Sequence, residues 1–192
     1  AAGAAAQAEH TLAGQHADPD FFEVLDVARR IAGNGSLGVD RYVILVRGKG
    51  SPDGNELLDL KEALPSAVLP SVATPQPVWR SEAERVVAIQ GRMQAVPMAF
   101  LQPLRWRKRS YMLRALQPSE DRVSLDAADS GVGALKGDLT HMGAIVASAQ
   151  LRSGGRDGSA IADTLIGFAG AVRRKVLLGA AQDCAEQLRK DW

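Results

Sequence analysis

The sequence predicts an α+β fold, in which a small antiparallel sheet with one packed helix is followed by a helical region. Three observations predict it: short segments rich in aromatic and β-branched residues, one amphipathic segment among them, and helical periodicity through the last third. The chain has 192 residues, of which 46% are apolar and 23% charged, which suits one globular domain or one lobe with an extension. We divide it into an Ala-rich start at residues 1–18, either a helix or a ragged end, a lobe at 19–125 and a helical region at 126–192.

Five segments have the composition of strands. They lie at residues 21–31, 41–47, 56–63, 101–106 and 111–116. A cluster of turn residues separates the second segment from the third, so these two are predicted to form an antiparallel hairpin.

One helix is predicted between the third and fourth strands, at residues 81–95. Ser81, followed by Glu84 three residues later, has the form of a capping box. Four prolines between residues 64 and 78 predict an irregular loop before this helix. In the last third, helices are predicted at 138–151 and 159–192, and glycines within the second segment favour its division into two helices.

Charge and composition exclude several classes of partner. The formal net charge is +1, so we expect neither a nucleic-acid nor a membrane partner. The basic run at residues 105–109 is interpreted as a turn or strand end with solvated side chains. No apolar run approaches the roughly 18–20 residues of a membrane span. The single cysteine, Cys184, fits a reducing compartment, and we expect a cytoplasmic protein.

A glycine pattern lies between the first two predicted strands. Gly33, Gly35 and Gly38 match G-x-G-x-x-G, and Asn34 and Ser36 stand within the pattern. In a dinucleotide-binding fold such a loop leads into a helix, whereas here it leads into a strand. In protein kinases the same spacing joins two antiparallel strands and covers the phosphates of ATP. A tight hairpin turn that binds no ligand is the alternative.

Lys61 lies on the third predicted strand, where a kinase places the lysine that meets the α- and β-phosphates. A helix carboxylate holds the kinase lysine in place. Glu84 and Glu82, at the start of the predicted helix, are the acidic candidates, and Gln90 is a neutral alternative. Each residue also has a simpler interpretation, since Lys61 suits a solvated strand position and acidic residues are favoured at helix N-termini.

No catalytic residue and no metal ligand is assigned. The sequence contains no H-R-D-x-x-x-x-N and no D-F-G, and its three histidines lack the spacing of metal ligands. The nearest string to a catalytic loop is K-G-D-L-T-H-M-G at residues 136–143, in which Asp138 is better explained as a helix N-cap. A phosphotransferase that uses Asp138 in another way is a further alternative.

Several strings together resemble the domain of unknown function 2252 family. They are D-V-A-R-R-I-A-G-N-G-S-L-G at 26–38, L-K-E-A at 60–63, and two further segments at 85–94 and 113–122, with a weaker match at 142–154. The resemblance covers about residues 20–192, and it is specific in the order and combination of the strings.

This resemblance implies a protein-kinase-like fold with a circularly permuted order of motifs. In the family, G-D-x-H-x-x-N-F-G and D-F-D strings, which look like a catalytic loop and a metal-binding motif, precede the glycine loop, and this chain begins after that point. The family also tends to have Glu-Gly-Gln-Arg where this chain reads Ala88-Ile89-Gln90-Gly91. The loss of polar residues within a retained apolar frame is what a non-catalytic member would show.

Two functions follow as expectations. The first is a nucleotide-binding, kinase-like module that takes ATP with Mg²⁺, or has no cofactor, and that is not catalytic as an isolated chain. The family looks like a phosphotransferase, but this chain lacks a recognisable catalytic loop. The second is a structural or interaction fragment that completes its fold with a polypeptide carrying the missing half, or by self-association.

Overall fold

The computed structural model describes residues 1–33, 37–51, 53–118, 123, 125 and 127–192. Asn34, Gly35 and Ser36 of the glycine pattern therefore lie outside the described residues. The chain divides into two compact units, Ala1–Gly131 and Val132–Trp192.

The first unit contains a five-stranded antiparallel sheet, which confirms the predicted α+β class. Its strands are β1 (Val24–Arg29), β2 (Arg41–Val46), β3 (Glu56–Glu62), β4 (Gln102–Trp106) and β5 (Arg109–Ala115). Their spatial order is β1-β2-β3-β5-β4. All five predicted strands are present, and β2 and β3 form the predicted hairpin. The basic run forms the end of β4 and a two-residue turn into β5, as the sequence indicated.

One face of the sheet carries the hydrophobic core. The Ala-rich start forms α1 (Ala2–Leu12), whose inward side chains pack onto this face. The alternation of the strands supplies the other half of the core, because every second residue points to the same side. The buried side chains of this face include Tyr42, Ile44, Leu58, Leu60, Leu104, Tyr111 and Leu113.

The opposite face of the sheet carries α2 (Glu82–Met93), the predicted packed helix. The Ser81 hydroxyl accepts a hydrogen bond from the Glu84 amide at 3.2 Å, which confirms the predicted cap. The helix lies over β4 and β5, where the Ser110 hydroxyl accepts a hydrogen bond from the Ala83 amide at 3.3 Å. We call this side of the sheet the α2 face.

The second unit is helical. Helix α3 (Ala127–Ser153) loses helical geometry at Gly131, the last residue of the first unit. The part of α3 from residue 132 onward belongs to the second unit, together with α4 (Ala162–Phe168) and α5 (Ala171–Asp191). The division between α4 and α5 confirms the predicted break in the last segment. The prediction that Asp138 caps a helix is wrong, because α3 begins earlier and Asp138 lies in its interior. Glycines on the N-terminal side of Asp138 lowered the expected helix propensity there without ending the helix.

No helix within the described residues is long and apolar enough to cross a membrane.

Candidate functional site

A row of basic side chains crosses the α2 face at the end of the sheet that carries the glycine loop. The backbone amide of Arg30 donates to the carbonyl of Arg41 at 2.8 Å, which closes the β1–β2 hairpin. Arg41 is the direct partner of Lys61 on β3, and Lys61 in turn is the partner of Met112 on β5. Directly paired residues of an antiparallel sheet point to the same side. Arg30, Arg41 and Lys61 therefore share the α2 face.

The next row of the same face contains a buried carboxylate, Asp59. Its side chain is 1% exposed, and it is the partner of Val43 on β2 and of Arg114 on β5. Arg41 binds it in bidentate fashion, with Nε–Oδ1 and Nη2–Oδ2 distances of 2.7 Å. Nε and Nη2 of Arg114 both donate to Oδ2 at 3.3 Å, and Nη1 of Arg30 lies 3.5 Å from Oδ1. We call these four residues the Asp59 cluster.

The Asp59 carboxylate is ionised despite its burial. Burial by itself raises the pKa of a carboxyl group, but the hydrogen bonds from Arg41 and the charges of Arg41, Arg114 and Arg30 outweigh it and hold the pKa of Asp59 below its ordinary value. Three guanidinium groups face one carboxylate, so the cluster keeps an excess of two positive charges. The three arginine side chains are 12–25% exposed and can meet a ligand from solvent.

The two glycines at the ends of the glycine pattern are described. Gly33 has φ +65° and Gly38 has φ +74°, which is the left-handed region that favours glycine. Both lie between Arg30 and Arg41, so the loop leaves and enters the sheet beside the Asp59 cluster. The residues that would cradle phosphates in a kinase-like loop, Asn34, Gly35 and Ser36, lie outside the described part of the chain.

The helix residues predicted as partners of Lys61 have other partners. The Glu84 carboxylate accepts a hydrogen bond from the Arg80 amide at 3.0 Å, and Glu82 forms an ion pair with Arg85 at 2.7 Å. Gln90 has a buried Oε1 atom with no hydrogen-bond partner among the described residues. The Lys61 ammonium likewise makes no ion pair or hydrogen bond within that part of the chain. The structure thus places Lys61 on the same face as α2 without joining the two.

Sequence reasoning missed the Asp59 cluster. The available signal was the alternation of β3, in which Leu58 and Leu60 point to the core and Asp59 to the face of Lys61. A carboxylate between two leucines in a buried strand needs a partner, because an unpaired buried charge is costly. Its partners were not identifiable, because Arg30, Arg41 and Arg114 come from three different strand positions far apart in the chain.

A family comparison agrees with the resemblance drawn from the sequence. The model of the family described as "Uncharacterized protein conserved in bacteria (DUF2252)" matches residues 2–192. The chain therefore belongs to this family. No curated protein and no solved structure matches the chain significantly.

Proposed function

We propose that this member of the DUF2252 family is a nucleotide-binding, kinase-like module that is not catalytic as an isolated chain. The observation that carries the proposal is the row of Arg30, Arg41 and Lys61 beside the glycine loop. Two of these cations flank the loop and the third lies on the neighbouring strand, on one face of the sheet. Phosphate groups bound on this face would meet all three.

The order of parts along the chain supports a kinase-like site. In protein kinases a glycine-rich hairpin covers the phosphates, a lysine on the third strand pairs with them, and a helix follows that lysine. Here β1, the glycine loop and β2 are followed by β3 with Lys61 and then by α2. The circular permutation implied by the family resemblance belongs to the same proposal. Because the sequence has no H-R-D-x-x-x-x-N and no D-F-G, we propose binding without phosphoryl transfer.

A phosphate would supply the negative charge that Lys61 lacks. In a kinase the lysine has a helix glutamate, but here the acids of the first turn of α2 have other partners. The Glu-Gly-Gln-Arg string of the family resemblance would place a glutamate where this chain has Ala88. Mg²⁺ would enter with the nucleotide, since it is commonly bound through substrate phosphates with few protein ligands. We do not assign Asp59 as a ligand of Mg²⁺, because its carboxylate oxygens already accept hydrogen bonds from three arginines.

Isothermal titration of the folded chain with ATP and Mg²⁺ tests the proposal. We expect Lys61→Met to weaken binding about tenfold or more, as for the loss of a charged hydrogen bond. Lys49→Met is the matched control, because Lys49 is exposed in the β2–β3 turn, at the opposite end of the sheet. The proposal fails if ATP does not bind at millimolar concentration, or if the two variants bind ATP equally well.

A second candidate function is an interaction fragment, and the helical unit favours it. Many of its large apolar side chains are exposed, among them Leu139, Ile145, Val146, Val176 and Leu178. Contiguous exposed apolar surface marks interfaces between proteins. Light scattering together with binding of a hydrophobic dye distinguishes this candidate. A monodisperse monomer that binds no dye would count against it.

A further inference from the structure

The ligand site on the α2 face has the chemistry of a phosphate receptor, and the five strands carry no aromatic side chain on that face. Resting on the nucleotide-binding function proposed above, we infer that the Asp59 cluster recognises the phosphate chain of its ligand, without discrimination between bases. The ligand class is then any compound with a chain of phosphates, including inorganic tripolyphosphate.

The site carries an excess of positive charge. The Asp59 cluster holds three guanidiniums against one carboxylate, and Lys61 adds another cation on the adjacent strand position. Such an excess of positive charge in a half-buried place is stabilised by an anion. Arginine is well suited to a phosphate, because its planar fork of donors matches the oxygens of the group.

Arg30 keeps hydrogen-bond donors that a ligand can use. Arg30 uses Nη1 toward Asp59, and its Nε and Nη2 atoms have no partner among the described residues. Its side chain is 21% exposed and stands where β1 passes into the glycine loop. Arg30 is therefore the cluster member best placed to donate to a phosphate bound at the Asp59 cluster.

The aromatic side chains of the sheet lie on the face opposite to the site. The aromatic residues of the five strands are Tyr42, Trp106 and Tyr111, and all three lie on the core face with α1. On the α2 face, the two rows nearest the loop hold five charged residues, while the apolar Met112 of the first row is buried. Small-molecule sites that hold a ring are lined mostly by apolar and aromatic side chains. The strands offer a base no such surface beside the loop.

Asp59 orients the three arginines of the cluster. Its carboxylate accepts hydrogen bonds from all three arginines, which fixes the direction in which each guanidinium points. Asp59 is therefore a positioning residue that orders the receptor before the ligand arrives. Ordering of this kind lowers the entropic cost of binding.

Titration of the full chain with four probes, tripolyphosphate, ATP, GTP and adenosine, tests the inference at constant Mg²⁺. We expect the three phosphate compounds to bind within about threefold of one another and adenosine not to bind. Arg30→Gln should weaken tripolyphosphate and ATP by a similar factor of about ten or more, as for the loss of a charged hydrogen bond. The control is Arg29→Gln, since Arg29 is 66% exposed and points to the other face, so the same charge is removed away from the site.

The outcomes separate this inference from the function on which it rests. If ATP binds but GTP or tripolyphosphate binds more than about tenfold more weakly, nucleotide binding stands and recognition through the phosphates is overturned. Equal effects of Arg30→Gln and Arg29→Gln would overturn the assignment to the cluster. If no probe binds, both proposals fail. Circular dichroism of each variant checks that the protein is folded. Arg30 and Arg29 are suitable positions, because neither side chain belongs to the hydrophobic core.

Discussion

Arg41 and Asp59 form a bidentate ion pair although they are not direct partners in the sheet. The register pairs Arg41 with Lys61 and Asp59 with Val43, so the guanidinium reaches diagonally from β2 to β3, with two N–O distances of 2.7 Å. Diagonal neighbours of an antiparallel pair lie about 7–8 Å apart, which a long arginine side chain spans. The pair therefore connects the flank of the glycine loop to the buried centre of the α2 face.

Removal of the Asp59 charge should destabilise the protein strongly. Asp59→Asn leaves three guanidiniums without their counter-charge, and the loss of one partner of a buried ion pair costs about 3–5 kcal/mol. Urea unfolding monitored by circular dichroism measures the change. Asp26→Asn, the same substitution at an exposed position of β1, should change the free energy of unfolding by less than about 0.5 kcal/mol. A loss below about 1 kcal/mol for Asp59→Asn would contradict the stabilising role of the cluster.

The Asp59 carboxylate should make the stability of the protein depend on pH. The pKa of Asp59 is lower in the folded protein than its unfolded value of about 3.9. The ionised carboxylate therefore contributes its full stabilisation to the free energy of unfolding at pH values above the unfolded pKa. The contribution is lost as the pH falls through the folded pKa. Urea midpoints between neutral pH and about pH 2 should therefore fall more steeply for the natural chain than for Asp59→Asn. Asp26→Asn should retain the natural steepness, and equal slopes for all three proteins would refute this pH dependence.

Substitution of Leu60 should distinguish the two faces of β3. Leu60 is fully buried in the core, so Leu60→Ala creates a cavity and should cost about 2–5 kcal/mol. Leu57 lies on the α2 face of the same strand and is 43% exposed, so Leu57→Ala should cost clearly less. Chemical denaturation of both variants is the measurement. Similar losses at the two positions would show that the assignment of the faces is wrong.

The cap of α2 should contribute measurably to stability. Ser81→Ala removes the acceptor for the Glu84 amide and should cost about 1 kcal/mol. Ser71→Ala is the control, because Ser71 is exposed and its hydroxyl makes no hydrogen bond within the described residues. Thermal unfolding should show a lower Tm for Ser81→Ala alone, and an unchanged Tm would mean that the cap contributes nothing.

Two glycines should respond to alanine in opposite directions. Gly91 lies in the last turn of α2 with open space around it, so Gly91→Ala should stabilise the protein by up to about 0.5 kcal/mol through helix propensity. Gly48 has φ +56°, and a Cβ there would collide with the carbonyl oxygen of Gly54. Gly48→Ala should therefore cost at least about 1 kcal/mol. Equilibrium unfolding of both variants measures the sign, and a destabilising Gly91→Ala would contradict the helix geometry.

Local patterns were sufficient to predict most of the fold. The strands and α2 were found because alternation, turn residues and a capping box act over a few neighbouring residues. The start of α3 was misplaced at Asp138, since glycines reduce helix propensity by only about 1 kcal/mol each and do not by themselves end a helix. The candidate site was predicted less completely. Gly33, Gly38 and Lys61 were singled out from spacing, but the ion pairs around Asp59 were not.

The sequence alone determined the α+β class, the position of Lys61 on the third strand and the membership of the DUF2252 family. The tertiary structure decided which side chains meet on the α2 face. Hydrogen bonding between β3 and β5 places Arg114 beside Asp59, and the β1–β2 hairpin brings Arg30 to the same carboxylate. Contacts of this kind depend on strand order and register across long stretches of chain. Periodicity sets the side of a strand on which a residue lies, whereas only the packed sheet sets the partner that it finds there.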